Sequence, residues 1–276
     1  RVSTVGNSSN FNPTICSAGG GKSTIFWARF PIRRELSDLG GASVLLRKPR
    51  SYAEVYNDLD GDVVNLFRVL RNPAQARELV RLVQLTPYAR EEHAAAYLID
   101  GDPIEQARRL LVRSFMGYGS DGTHRATGFR NDTTRTGSIP AGDWANMPAV
   151  LDQIIERLRG VIIENIPAVD LLAKYDGPRT LHYVDPPYLH ETRGDANRYR
   201  YEMTDAEHEA LAAVLRTLRG HVVVSGYACD LYDSVLFPDW QRVARGTHAA
   251  GALDRVEVLW IKPGTVVQPG LYEGAR

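Results

Sequence analysis

From residue 42 onward the chain alternates short apolar runs with longer segments of helical period. Ala42 to Lys48, with Val44, Leu45 and Leu46, fits a short buried helix. Tyr52-Ala53-Glu54-Val55-Tyr56 reads as a strand ending at Asn57-Asp58. Val63, Val64, Leu66, Phe67, Val69 and Leu70 then give Asp60 to Arg71 one wide apolar helical face. Helical sequence resumes at Pro73, runs through Leu79, Val80, Leu82 and Val83, and stops near Pro87. Arg90 to Tyr97 and Ile104 to Phe115 also look helical, and a long Gly-, Thr- and Asn-rich stretch, Gly117 to Gly142, follows. Beyond Pro148 the rhythm returns: Val150 to Arg159 is amphipathic, and Val161-Ile162-Ile163 is a short buried strand ending at Glu164-Asn165. Leu181, Tyr183 and Val184 form another strand, which leaves through Asp185-Pro186-Pro187-Tyr188. Asp205 to Arg219 is a helix with Thr204 as N-cap and Glu207 completing a capping box. His221 to Val224 is a buried strand opening into Ser225-Gly226-Tyr227. Strands around Gln241–Ala244 and Val256–Ile261 predict an antiparallel hairpin at a sheet edge.

Strands alternating with helices predict an α/β sheet covered on both faces. The start is less regular. Residues 1–18 read as a poorly ordered lead-in, and Ile25 to Leu36 mixes apolar and basic residues about Pro31, which breaks any single long helix. The expected division is a sheet domain of residues 1–86 and 149–276 with a small, mainly helical insert at 87–148.

Composition narrows the function only slightly. With 276 residues, 43% hydrophobic and 24% charged, the chain is an ordinary globular protein. Its 33 basic and 33 acidic residues cancel, so any nucleic-acid surface must be local. Cys16 and Cys229 lie far apart and form no metal-spaced pair, so no metal site is expected and two reduced thiols of a cytoplasmic protein are. No apolar run is long enough for a membrane span, and the polar start, Arg1 to Asn12, has no signal-peptide core.

The chemistry concentrates at strand ends. Two consecutive prolines forbid both helix and ladder after Val184, so Asp185 is presented on a rigid turn beside Tyr188. In open α/β sheets ligands bind at that carboxyl edge, and an acid ending the second strand, here Asp58, is placed to bind ribose hydroxyls. A helix cap explains Asn57 or Asp58 equally well. Gly40-Gly41 opens a helix and permits close approach of a nucleoside. Gly19 to Thr24 invites a phosphate-loop reading, but Cys16 stands where that motif needs glycine. In the insert Arg108, Arg109, Arg113, Arg125, Arg130 and Arg135 face only Asp121 and Asp132, with Phe115, Tyr118, Phe129 and Trp144 interleaved. Arginine with aromatics suits contact with phosphates and bases, as do Arg193, Arg198 and Arg200 in a later loop; a solvated surface is the bland alternative. The histidines suggest no ligand set, and Ser225, lacking a base, reads as loop beside the pocket.

Taken in order, Tyr52…Asn57-Asp58…Asn65-Leu66-Phe67, Asp185-Pro186-Pro187-Tyr188, Ser225-Gly226-Tyr227 and Val258-Leu259-Trp260 resemble the DNA adenine-N6 methyltransferase family, in its Dam-like class. The resemblance covers about Gly40 to Pro263. It implies a Rossmann-like sheet, S-adenosylmethionine as cofactor, residues 87–148 as the target-recognition insert, and methylation of a flipped-out adenine in double-stranded DNA. By the same resemblance Asp185, Pro186, Pro187 and Tyr188 are catalytic, the Asp185 carboxylate and the Pro186 carbonyl accepting hydrogen bonds from the target amine and Tyr188 stacking on the base. Cofactor residues would be Lys22, Asp38, Gly40, Gly41, Asp58, Glu164, Asn165 and Asp185, with Asp38 standing where the family carries its acid-Pro-Phe motif. Arg113, Arg125, Arg130, Arg135, Arg193 and Arg198 would contact DNA. RNA adenine or cytosine N4 as acceptor, or a catalytically impaired DNA-binding relic, are the alternatives. A monomer is expected, and a restriction endonuclease partner or a phage origin stays open.

Overall fold

The computed structural model describes residues 24–29, 43–98, 101–118, 126–133, 139–189, 192, 202–248 and 254–265. Seven strands among them form one sheet: β1 (Thr24–Arg29), β2 (Ala53–Asp58), β3 (Val161–Glu164), β4 (Thr180–Asp185), β5 (His221–Tyr227), β6 (Gln241–His248) and β7 (Asp254–Ile261). Their order is β3-β2-β1-β4-β5-β7-β6. The first five are parallel, and β7 inserts antiparallel between β5 and the edge strand β6. The order reverses between β1 and β4, which makes their carboxyl ends the crevice where open α/β sheets bind ligands.

Strand alternation divides the core in two. Tyr56, Leu181, Val223, Leu259 and Ile261 face one side. That side is covered by α2 (Gly61–Arg71), α3 (Pro73–Leu85), α5 (Pro103–Met116) and α6 (Pro140–Leu158), with α1 (Ser43–Arg47) and α4 (Arg90–Ala95) adjoining. Val55, Val184, Val222, Val224, Val258 and Trp260 face the other, against α7 (Ala168–Tyr175), α8 (Asp205–Thr217) and a π-helical turn, Leu231–Leu236. The helix starts follow local chemistry. Asp60, Asn72 and Asp102 each cap with a side-chain oxygen, the latter two ahead of Pro73 and Pro103, and Thr204 with Glu207 closes a full capping box.

Three elements differ from the sequence reading. The segment around residue 25 is no broken helix but β1, the central strand between β2 and β4. Ser225–Tyr227 extend β5 instead of forming a loop, because β7 pairs with them through Leu259, Val258 and Glu257. The boundary expected at 148–149 falls inside α6, which continues through Pro148. Trp144, Met147, Leu151, Ile154 and Leu158, spaced three and four apart, form one buried stripe across the proline. That burial, with Trp144 Nε1 donating to the Thr86 carbonyl at 2.8 Å, offsets the roughly 3 kcal/mol a mid-helix proline costs. No helix among the described residues is long and apolar enough to cross a membrane.

Candidate active site at the carboxyl edge of the sheet

Parallel register sets the site. Arg29 at the end of β1 pairs with Asp58 on one side and Asp185 on the other, so the two acids end strands that flank β1. At about 4.8 Å per strand their backbones stand roughly 10 Å apart. One step past the last pairs of β2–β3 and β4–β5, the same row continues to Asn165 and Ser225. Alternation puts Asn165, Asp58, Asp185 and Ser225 on one face, that of Ile163, Tyr56, Tyr183 and Val223. A polar row thus crosses the switch point of the sheet.

Asp185 is half-buried and ends β4 because Pro186 and Pro187, both buried, have no N–H to continue the ladder. Ser225 Oγ lies 3.0 Å from Asp185 Oδ1, to which it donates, and 3.3 Å from the Val184 carbonyl. Tyr188 meets Tyr227 edge-to-face, with ring centroids 4.6 Å apart at 63°. Tyr188, Ser225, Gly226, Tyr227, Cys229 and Tyr232 line a small cleft at the end of β5. A Cβ at Gly226 would stand 3.1 Å from Trp260 Cζ3, so this wall of the cleft is packed tightly from behind. Burial raises the Tyr232 phenol well above its ordinary range, and its hydroxyl is 2.8 Å from His208 Nδ1.

Asp58 is 1% exposed. Its Oδ2 accepts from the Tyr56 hydroxyl and its Oδ1 from the Asp60 N–H, both at 2.9 Å. The N-cap of α2 is Asp60, so Asp58 is not the cap. Neither is Asn57, whose amide exchanges two 3.0 Å bonds with the backbone of Ile166 and ties β2 to the chain beyond β3. Asn165, exposed, donates from Nδ2 to the Asp58 carbonyl at 2.6 Å. Glu164 departs from the expectation. It lies one position out of phase and accepts from Lys174 and Tyr175 on the opposite face, and those two bonds, Lys174 first, hold its carboxyl below the ordinary range. The structure therefore does not bring it to the row.

The arginines of α5 are a second correction. Arg113 is buried, paired with Asp62 at 2.9 Å and bonded to the Ala96 carbonyl at 2.8 Å. Arg108 pairs with Glu92 and Glu105, and Arg109 with Glu105. These guanidiniums stitch the helices together instead of presenting charge to phosphate, because their acidic partners come from α2, α4 and α5. Arg130 is 9% exposed, its backbone held by Met116 and the Tyr88 hydroxyl. Lys22, Asp38, Gly40, Gly41, Arg125, Arg135, Arg193 and Arg198 lie outside the described residues, as does Cys16. Ser225 and Tyr227, read from the sequence as a motif in a loop beside the pocket and given no role there, are strand residues that contact Asp185 and Tyr188. Continuing the alternation of Val223 by two would have placed Ser225 beside Asp185.

A family model described as D12 class N6 adenine-specific DNA methyltransferase matches residues 39–243. The chain belongs to that family. It is an adenine-specific DNA methyltransferase, it acts on DNA, and its methyl donor is S-adenosylmethionine. No curated protein matches the methyltransferase. One solved structure, the rRNA methyltransferase AviRa from Streptomyces viridochromogenes, overlays with a TM-score of 0.38 at 12% identity, covering 88% of this chain and 78% of its own. A likeness of that size shows neither function nor substrate.

The residues at the row suit the methyl donor. Asp58 is fixed by the Tyr56 hydroxyl and the Asp60 N–H, and a carboxylate held at this strand end is of the acceptor type that a ribose diol requires. Asn165, exposed beside it, presents an amide at the same edge.

Proposed function

We propose that this methyltransferase acts on an adenine flipped out of duplex DNA, with Asp185, Pro186, Pro187 and Tyr188 as its catalytic turn. The observation that carries the reading is the shared row: Asp58 and Asp185 end the two strands that flank β1, on one face of the sheet, with the Tyr188 ring beside the second. Bound at Asp58, Asn165 and Gly40-Gly41, S-adenosylmethionine supplies an electrophilic methyl group. Asp185 and the Pro186 carbonyl accept hydrogen bonds from the two hydrogens of the adenine amine, which draws that nitrogen toward tetrahedral geometry and aims its lone pair; the methylated ammonium then loses one proton to solvent. Catalysis is then by positioning and fixed dipoles, with no covalent enzyme intermediate. Five parallel strands in the order 3-2-1-4-5 support a Rossmann-like sheet.

Residues 87–148 form the target-recognition insert in this reading, with their last turns built into α6, which returns the chain to the sheet. Arg125, Arg135, Arg193 and Arg198 are the enzyme's proposed phosphate contacts, and Lys22 and Asp38 its further cofactor residues; Arg130, buried like Arg113, is left out of that set. The enzyme works as a cytoplasmic monomer; a genomic neighbour cleaving the same unmethylated sequence would reveal a restriction partner.

Flipping costs a few kcal/mol, and stacking on Tyr188 returns about 1–3 kcal/mol. Tyr188→Ala should therefore lower kcat/KM about 5- to 150-fold on a paired duplex, and by a similar factor when the target adenine faces an abasic site, because the lost stacking is the same in both. Wild-type kcat/KM on both substrates contradicts the role.

A further inference from the structure

We infer that Ser225 is a positioning residue for methyl transfer: its hydroxyl holds Oδ1 of Asp185 and so helps set the orientation of the carboxylate toward the target amine. The inference rests on the reading of Asp185 given above and adds a residue to it.

A carboxylate is nearly two-fold about its last torsion, so an aspartate held only by its backbone presents its oxygens with little preference. Each donor to one of the oxygens narrows that freedom, and Ser225 is such a donor. Ser225 is 7% exposed, and its single hydroxyl hydrogen has two acceptors within reach, Asp185 Oδ1 at 3.0 Å and the Val184 carbonyl at 3.3 Å. The shorter contact is also the charged one and takes the hydrogen. Ser225 is itself held in place. Strand β7 pairs with it through Leu259, and the adjoining Gly226 lies against Trp260, whose indole N–H donates to Asp233 Oδ1 at 2.8 Å. Two residues on, Tyr227 sets its ring edge-to-face with Tyr188. The end of β5 therefore braces both working groups of the turn, the carboxylate through Ser225 and the base-stacking ring through Tyr227. A group misplaced by about 1 Å costs on the order of 100-fold in rate, which is the scale at which such a brace acts.

The test compares Ser225→Ala, Ser225→Thr and Ser225→Val by steady-state and single-turnover methylation, with thermal melting of each variant. Thr and Val share a shape and differ in the hydroxyl. Ser225→Ala should lower kcat and the single-turnover rate about 10- to 100-fold, the range for losing a hydrogen bond to a charged group. KM for S-adenosylmethionine and for DNA should stay within about twofold. Ser225→Thr should recover most of the rate while Ser225→Val resembles Ser225→Ala. Wild-type kcat in Ser225→Ala, equal rates in the Thr and Val variants, or a change confined to KM each overturns the inference. Asp185→Ala run alongside separates the two levels. If it is inactive while Ser225→Ala is normal, only the brace fails; if it is active, the reading of Asp185 itself fails.

Discussion

Glu54→Gln should cost this enzyme stability while leaving its cofactor affinity intact. Glu54 begins the buried run of β2 and is 3% exposed. Its Oε1 accepts from Lys48 Nζ, from the Ser51 N–H at 3.1 Å and from Arg157 Nη2 at 2.8 Å, and its Oε2 from Arg157 Nη1 at 2.7 Å. One carboxylate thus joins the end of α1, β2 and α6 and pairs with two cations. Burial pushes the Glu54 carboxyl up, but the bonds from Arg157 and Lys48 outweigh it and hold the group below its ordinary range. Burial lowers the Lys48 ammonium despite Glu54, and the nearby Arg157 charge adds to the lowering. Glutamine keeps the shape and strands both cations, at a cost of about 3–5 kcal/mol. At about 2.1 cal/mol/K of unfolding entropy per residue, 276 residues give about 0.6 kcal/mol/K, so the melting temperature should fall by about 5–9 °C. A carboxyl whose folded pKa is depressed contributes fully above its unfolded value and loses that contribution as pH falls through the folded one. Calorimetric melting should therefore show a constant gap between wild type and variant from pH 6 to 8, narrowing below about 4.5. Asp58 lies four residues along the strand, about 13 Å away, so titration with S-adenosylmethionine well below the melting temperature should give wild-type affinity. A stability loss under about 1 kcal/mol at pH 7, or a gap that persists in acid, refutes this account.

Asp58→Asn should weaken S-adenosylmethionine binding by one to two orders of magnitude in calorimetry, with DNA affinity unchanged; equal affinity would remove Asp58 from the cofactor site. Arg113→Ala should lower stability by about 3 kcal/mol or more through the Asp62 pair it breaks. It should leave the salt dependence of DNA binding unaltered, whereas truncating a side chain that does neutralise a phosphate flattens the log–log slope by about 0.9. Gly226→Ala places a Cβ 3.1 Å from the Trp260 ring and should cost about 1–3 kcal/mol in denaturant melts, with slower methylation.

Much of this arrangement is written locally in the chain. The stripe of Val63, Leu66, Phe67 and Leu70 behind a capping Asp60, and the Thr204–Glu207 box, mark their helices without help from distant residues. The prolines after Asp185 likewise announce the working turn. What stayed hidden depends on partners far away in sequence. β1 is recognisable only once β2 and β4 close on either side of it, since Arg29 and Pro31 disguise its apolar run. Ser225 reads as the start of a loop until β7, more than 30 residues later, pairs with it. Arg113 reads as free charge until Asp62, 51 residues earlier, reaches it. Glu164 and Asn165 are adjacent letters, and only the two-residue period of β3 sends one to the row and the other away.

Transfer of tritiated methyl from S-adenosylmethionine to an adenine-containing duplex, followed by digestion to nucleosides, addresses the central claim most directly. The account predicts label in N6-methyldeoxyadenosine with the wild-type enzyme and none with Asp185→Ala. Incorporation no greater than that of Asp185→Ala on any duplex pool, or label recovered in cytosine, would contradict it.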